Sequence, residues 1–568
     1  MLRSNLPEGT ARWAVRRAEW RALGITDEEM SRPKVAIVNS SSDLAACFAH
    51  LDDIVPVLKQ ELRALGALPF EIRTTAPSDF VTSAGRGGRY ILPSRDLIVN
   101  DIEAVVEGAQ LDAMICLSSC DKTAPAHMMA AGRLNIPTVI IACGYQRNAM
   151  YEDGGPDIED VFLQASHNAL EGRDIDLMGL SEGAIRGPGV CAGFGTANSM
   201  HIAAEALGMA VSGSTPVRAN SDKMWDSVRR SAAALLEQVE RGIRPRDIIT
   251  AESVTNAIRV MLSIGASINS VKHLQAIAVE SGVDLDVWAT YERLGYETPV
   301  LTAVRPNGET LIEEFEDAGG AATIMRELAP VLDTTQLTAT GGALADWLES
   351  AAPADGTVIM PFDKPLATTP SIRIVRGNLT PDGAIVKLPV EGKPAPKFSG
   401  PAKVYHSREE GIEALAAGEV VAGDVVVLRG IGLLGGPGMG MASALVFALD
   451  GTGLGSSVAV ITDGQLSGLV NKGIVVGEVS PEAAAGGLLG LVEPGDIISI
   501  DLDAGTVDLD VDEAILAQRP AFVPVDAVPT NGMLDNYRAT VSPLACGAVL
   551  CARGTGAESV CSVKKGRG

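Results

Sequence analysis

The stretch LDAMICLSSCDKTAPAHMMAAGRLNIPTVIIACG, residues 111–144, decides the fold. LDAMICL and PTVIIACG are apolar runs of strand length, and the segment between them is helical, so the three make a βαβ unit. Such a unit needs parallel strands, and open α/β sheets bind ligands at the carboxyl ends of their strands. Cys120-Asp121-Lys122 stand at such an end, where the helix begins. Upstream the alternation continues: KVAIVNS and LPFEIRT are strands, and DIVPVLKQELRALGA and SRDLIVNDIEAVVEGAQ are helices. The N-terminal part therefore reads as an α/β domain with a mainly parallel sheet.

Downstream the character of the chain changes twice. Residues 200–350 are mostly helical in pattern, and these helices are expected to cover the sheet. A Pro- and Gly-rich passage, residues 352–401, marks a domain boundary. After it come GDVVVLRG, SVAVITDG, GIVVGEVS, GDIISIDL and GTVDLDV, short strands between glycine turns that suggest a β-rich, barrel-like domain. The expected division is an α/β domain over residues 1–375 and a β-rich domain over residues 376–568.

Composition narrows the function. The net charge of −25 argues against a nucleic-acid partner, which needs a basic surface. No run of about 18 uncharged apolar residues is present, and the first 20 residues lack an apolar secretory core, so a cytoplasmic protein is expected. Eight cysteines in such a chain point to metal or cluster ligation before disulfides. Cys116 and Cys143 lie inside apolar strands and read as inert core thiols. Cys47, Cys120 and Cys191 stand at strand-to-loop positions among small and polar residues. Their spacing alone follows no short-range ligand rule. GFGTANSM lacks the order of a dinucleotide-binding loop, and His50, His127 and His273 read as packed core histidines.

Seven segments in order, SSCDKTAPAHMMAAGRLNIPTV, GVCAGFGTANSMHIAAEALGM, RPRDIIT, VRGNLTPDGAIVKL, GGPGMG, TDGQLSG and VVGEVSPEAAAGG, resemble the IlvD/Edd dehydratases over nearly the whole chain. That family includes dihydroxy-acid, sugar-acid and phosphogluconate dehydratases, and VVGEVSPEAAAGG looks closest to the dihydroxy-acid branch. The resemblance implies a hydro-lyase that turns a 2,3-dihydroxy acid or sugar acid into a 2-keto acid, working as a homodimer or homotetramer with its site between the domains. It implies a 2Fe-2S cluster on Cys47, Cys120 and Cys191 with one iron open as a Lewis acid. It also implies a magnesium ion at Asp121 and a carbamylated Lys122, and Ser467 as the base that removes the α-proton.

The sequence departs from the family pattern at the metal. Arg86 in SAGRGGRYILPSR stands where the family has one glutamate, and GGPGMGMASAL has Met441, or a deletion, where the family has a second. The opposite wall of the magnesium pocket is thus expected to have lost its acids, with Arg86 turned toward Asp121 to pair with it or with a substrate carboxylate. Glu478 stands where the family commonly has histidine. The alternative reading is a divergent paralogue that uses the cluster scaffold for another lyase or isomerase reaction, or for ligand binding, without the usual magnesium site.

Overall fold

In the computed structural model, residues 2–147, 149–150, 154–171, 175–390, 396–468, 473–525 and 531–551 are described. Strands β1 (Lys34–Asn39), β2 (Leu68–Arg73), β3 (Ala113–Ser118) and β4 (Thr138–Ala142) form an all-parallel sheet in the order β2-β1-β3-β4. Helix Thr123–Leu134 crosses from β3 to β4, as a parallel pair requires. Both faces of the sheet are buried, with strict alternation. Val35, Ile37, Ala113 and Ile115 pack on one side with helix Leu51–Ala64, and Ala36, Val38, Met114 and Cys116 face the other.

The second sheet has eight strands: β5 (Ile372–Val375), β6 (Gly383–Lys387), β7 (Lys397–Tyr405), β8 (Val425–Leu428), β9 (Ala459–Thr462), β10 (Ile474–Ser480), β11 (Ile497–Asp501) and β12 (Thr506–Leu509). Their order is β12-β11-β7-β8-β9-β10-β6-β5. The centre, β7 to β10, is parallel, and antiparallel strands flank it. The edges meet where Arg376 bridges Thr506, with Arg376 N–H donating to Gly505 O at 2.8 Å, so the sheet nearly closes into a barrel. β5 and β6 lie within the Pro- and Gly-rich passage, which is therefore more than a connection. β5 precedes residue 376 yet belongs to the second sheet.

One core joins the two parts. Val426 and Leu428 of β8 face the same apolar cluster as Ala36 and Val38 of β1, while Val425 and Val427 face a separate one on the far side. Helix Asn269–Ser281, buried around nearly its whole circumference, packs on helix Thr123–Leu134. Arg95, fully buried beside Asp96, donates to the carbonyls of Gly547 and Ala548 and so ties the end of the second part to the first. Among the described residues no helix is long and apolar enough to cross a membrane.

Candidate active site at the carboxyl ends of the first sheet

Three neighbouring strands deliver their following loops to one corner. Cys47 lies in the loop after β1, Asp79 beyond the end of β2, and Cys120, Asp121 and Lys122 directly after β3. Short-range polar contacts fix these loops. Ser119 Oγ donates to the Cys47 carbonyl, and Thr123 Oγ1 donates to the Cys120 carbonyl at 3.0 Å. Cys191 arrives on the glycine-rich GPGVCAGFG turn, where Gly189 N–H donates to Ala46 O at 3.2 Å and Asn198 Nδ2 to Cys191 O at 2.8 Å. Gly189 has φ of +118°, and a Cβ there would stand 2.5 Å from the Tyr145 carbonyl carbon, so only glycine lets this turn close.

The three thiols face one another electrostatically. Hydrogen bonding from the Cys120 thiol holds Cys47 below the usual thiol range, and the same contact, with burial, holds Cys120 well above it. Burial raises Cys191, with the charges of Asp121 and Cys47 adding to the effect. Cys116 and Cys143 are buried in the core, and desolvation pushes both thiols far up. A soft metal or cluster suits the first three thiols and not these two.

The acid corner differs from expectation. Oxygens of Asp79 and Asp121 and the sulfur of Cys120 all lie within 4.8 Å of one another. Lys122 Nζ, 1 % exposed, stands 3.4 Å from Asp79 Oδ2 and 3.8 Å from Asp121 Oδ2. An acid that the sequence did not point to, Asp79 from the segment after β2, therefore stands beside Asp121. Burial, then the Asp121 carboxylate, push Asp79 well above the ordinary carboxylate range. Burial works against the Lys122 ammonium, but the two carboxylates outweigh it and raise its pKa. Two carboxylates already drawn around a cation fit a hard divalent ion.

Arg86 is not part of that corner. It begins a short 3-10 turn, Arg86–Gly88, with φ of +43°, is exposed, and lines an outer cleft with Arg89, Arg408 and Arg538. Met441 packs into the space beside Gly88, where a Cβ would lie 2.7 Å from Met441 Cγ, and it also lines the inner cavity. That cavity, of about 440 Å³, is bounded by Asp79, Cys120, Asp121, Lys122 and Cys191 on one side and by Gln465, Ser467 and Gly468 on the other. Phe80, Phe162, Phe447, Ile412 and Met441 make an apolar wall, with Phe162 set edge-on to Phe447 at 4.9 Å. Ser467 thus comes from the second part of the chain to face the cysteine corner across one cavity.

Glu478 does not join the acids. It is fully buried, in the left-handed region at φ of +57°, and ion-pairs with the equally buried Lys272, which also donates to Asn269 Oδ1. Asn269 lines the cavity and donates to the Leu466 carbonyl at 3.2 Å. Burial draws Lys272 down to about 8, and Glu478 Oε2 finds no hydrogen-bond partner among the described residues. Lys272→Met alone, which strands a buried carboxylate, is expected to cost about 3–5 kcal/mol. Adding Glu478→Gln should recover most of that, and urea denaturation of both variants measures it. The three histidines are buried and hydrogen-bonded, for example His50 Nε2 to Cys143 O at 2.7 Å, and none lines the cavity.

Asp79 was legible only as an acid past a strand end, while Lys272 carried no signal in the sequence. Thiols beside carboxylates, with room for a small molecule between them and a serine, suit a metal-dependent enzyme better than an electron carrier. Residues 32–347 match the family described as dihydroxy-acid/6-phosphogluconate dehydratase N-terminal, and residues 357–548 match its C-terminal counterpart. The chain is 39 % identical over 554 residues to a dihydroxy-acid dehydratase of Methanothrix thermoacetophila, covering 97 % of this chain and 100 % of the relative. It is 38 % identical over 541 residues to one of Nitratidesulfovibrio vulgaris strain Hildenborough, covering 94 % and 97 %. The chain belongs to the dihydroxy-acid/6-phosphogluconate dehydratase family. It is accordingly a hydro-lyase.

Proposed function

We propose that the protein removes water from a 2,3-dihydroxy acid with an alkyl substituent to give the 2-keto acid. The observation that carries this is the apolar wall of Phe80, Phe162, Phe447, Ile412 and Met441 facing the thiol and acid corner. An alkyl group gains by burial against that wall, whereas the hydroxyls of a sugar acid would lose hydrogen bonds to water there. The relatives' shared name, dihydroxy-acid dehydratase, supports the same substrate class.

Cys47, Cys120 and Cys191 would hold a 2Fe-2S cluster, and Asp79 and Asp121, with Lys122 beside them, a magnesium ion. When bound, these groups supply Lewis-acid charge for the departing hydroxyl and the substrate carboxylate. Ser467, as its alkoxide, takes the proton from C2, the C3–O bond breaks, and the departing hydroxide takes that proton from the serine and leaves as water. The enol so formed loses its hydroxyl proton as C3 gains one and becomes the 2-keto acid. A serine hydroxyl is a weak base and its alkoxide needs positive charge nearby, which the metal and cluster held by the thiol and acid corner across the cavity would supply. The apolar wall orients the alkyl group and excludes water. We also read the protein as cytoplasmic and as a homodimer or homotetramer, and light scattering after size exclusion tests the assembly.

The test is anaerobic purification, iron, sulfide and magnesium analysis, and a substrate panel. Branched 2,3-dihydroxy acids should yield 2-keto acid at rates at least about tenfold above aldonates of similar length, in line with the burial of two or three methylenes. Iron-free protein, or 2-keto acid formed faster from aldonates, would overturn the reading. No turnover of any acid by the iron-loaded protein would favour the divergent paralogue.

A further inference from the structure

The segment VRGNLTPDGAIVKL contains a lysine that none of these roles uses. Lys387 closes β6 and is 4 % exposed. Among the described residues its Nζ makes one hydrogen bond, to the carbonyl of Gly468 at 2.8 Å. Among the described residues no carboxylate lies within ion-pairing distance, and the charge that bears on it is that of Glu159. Burial draws its pKa down to about 7. A buried amine without a counter-ion is unfavourable, and a methionine would fill the same space without that penalty. What the lysine does there is hold Gly468.

Gly468 follows Ser467, and the turn around the serine is fixed by side chains from three other elements. Asn269 Nδ2 donates to Leu466 O at 3.2 Å, Ser467 N–H donates to Ser443 Oγ at 2.6 Å, and Lys387 Nζ donates to Gly468 O. The backbone of Gly468 also presses on the first part of the chain, since a Cβ there would lie 2.7 Å from Ser267 Oγ and 3.2 Å from Gly195 Cα. Each of these anchors is to the backbone, and Ser467 itself lines the cavity. We propose that Lys387 is a positioning residue for the reaction, aiming Ser467 by fixing the Gly468 carbonyl from β6. The amine donates whether protonated or neutral, so the anchor survives a change of charge. This inference rests on the assignment of Ser467 as the base.

The test uses the iron-loaded protein and the variants Lys387→Met and Lys387→Ala. Lys387→Met keeps the packing and removes the donor, so its unfolding midpoint and iron content should match the parent. Its kcat should fall about 10- to 100-fold, the effect of a small misplacement of a reacting group, with KM within about twofold. Lys387→Ala should lose as much and recover several-fold on addition of n-propylamine, which restores the missing atoms. An unchanged kcat in either variant, a loss confined to KM, or no response of Lys387→Ala to the amine would overturn the proposal. Ser467→Ala in the same assay separates the two ideas. If it is fully active, the base assignment fails and the positioning role with it. If it is inactive while both lysine variants turn over normally, only the positioning role fails.

Discussion

Ser467→Ala should lower kcat for 2-keto acid formation by about 10²- to 10⁴-fold, the range contributed by a well-placed acid–base group. KM and iron content should stay near those of the parent. The reason is the division of labour across the cavity. The thiols and carboxylates that would hold metal all come from loops at the ends of β1, β2 and β3 and from the Cys191 turn, whereas Ser467 comes from the loop between β9 and β10. The substitution removes a hydroxyl but leaves the backbone of Leu466, Ser467 and Gly468 anchored by Asn269, Ser443 and Lys387. Stability should therefore change by no more than about 1 kcal/mol, the usual net worth of one hydrogen bond. Steady-state kinetics with iron analysis decides the point, and a variant that keeps its kcat would remove Ser467 from the chemistry.

Cys120→Ser should abolish both turnover and visible absorbance in protein purified anaerobically. Cys120 is the thiol beside the acids: its sulfur lies within 4.8 Å of carboxylate oxygens of both Asp79 and Asp121. Exchanging its sulfur for a harder oxygen weakens the hold on iron, which thiolates ligate in such clusters. Cys116→Ala is the matched control. Cys116 sits four residues earlier, fully buried within β3 and facing the apolar core. That variant should keep its colour and its kcat and lose roughly 1 kcal/mol of stability from the lost packing. A coloured, active Cys120→Ser protein, or a colourless Cys116→Ala protein, would contradict the ligand assignment.

Much of this protein was legible in the order of its residues. The βαβ unit around residues 111–144 and the strands on either side follow from local hydrophobic runs, because a strand buried on both faces must be apolar along its length. The same locality put Cys120-Asp121-Lys122 at a strand end, and the family segments brought Ser467 to notice. Sequence alone also marked the later strands GDVVVLRG to GTVDLDV, though not the bridge from Arg376 to Thr506 that nearly closes their sheet.

What the tertiary structure decided are the contacts between residues far apart in the chain. Asp79 reaches Lys122 across 43 positions only because β2, β1 and β3 lie side by side. Arg86 lines an outer cleft formed with Arg408 and Arg538, residues far from it in the chain, and no pattern of charges along the sequence encodes that meeting. Glu478 pairs with Lys272 at a separation of 206 residues, and Lys387 reaches Gly468 across 81. Hydrophobic periodicity is a property of neighbours and survives in the sequence. Ion pairs and hydrogen bonds are short-ranged in space and indifferent to chain distance, so they exist only once the two sheets have packed on their shared core.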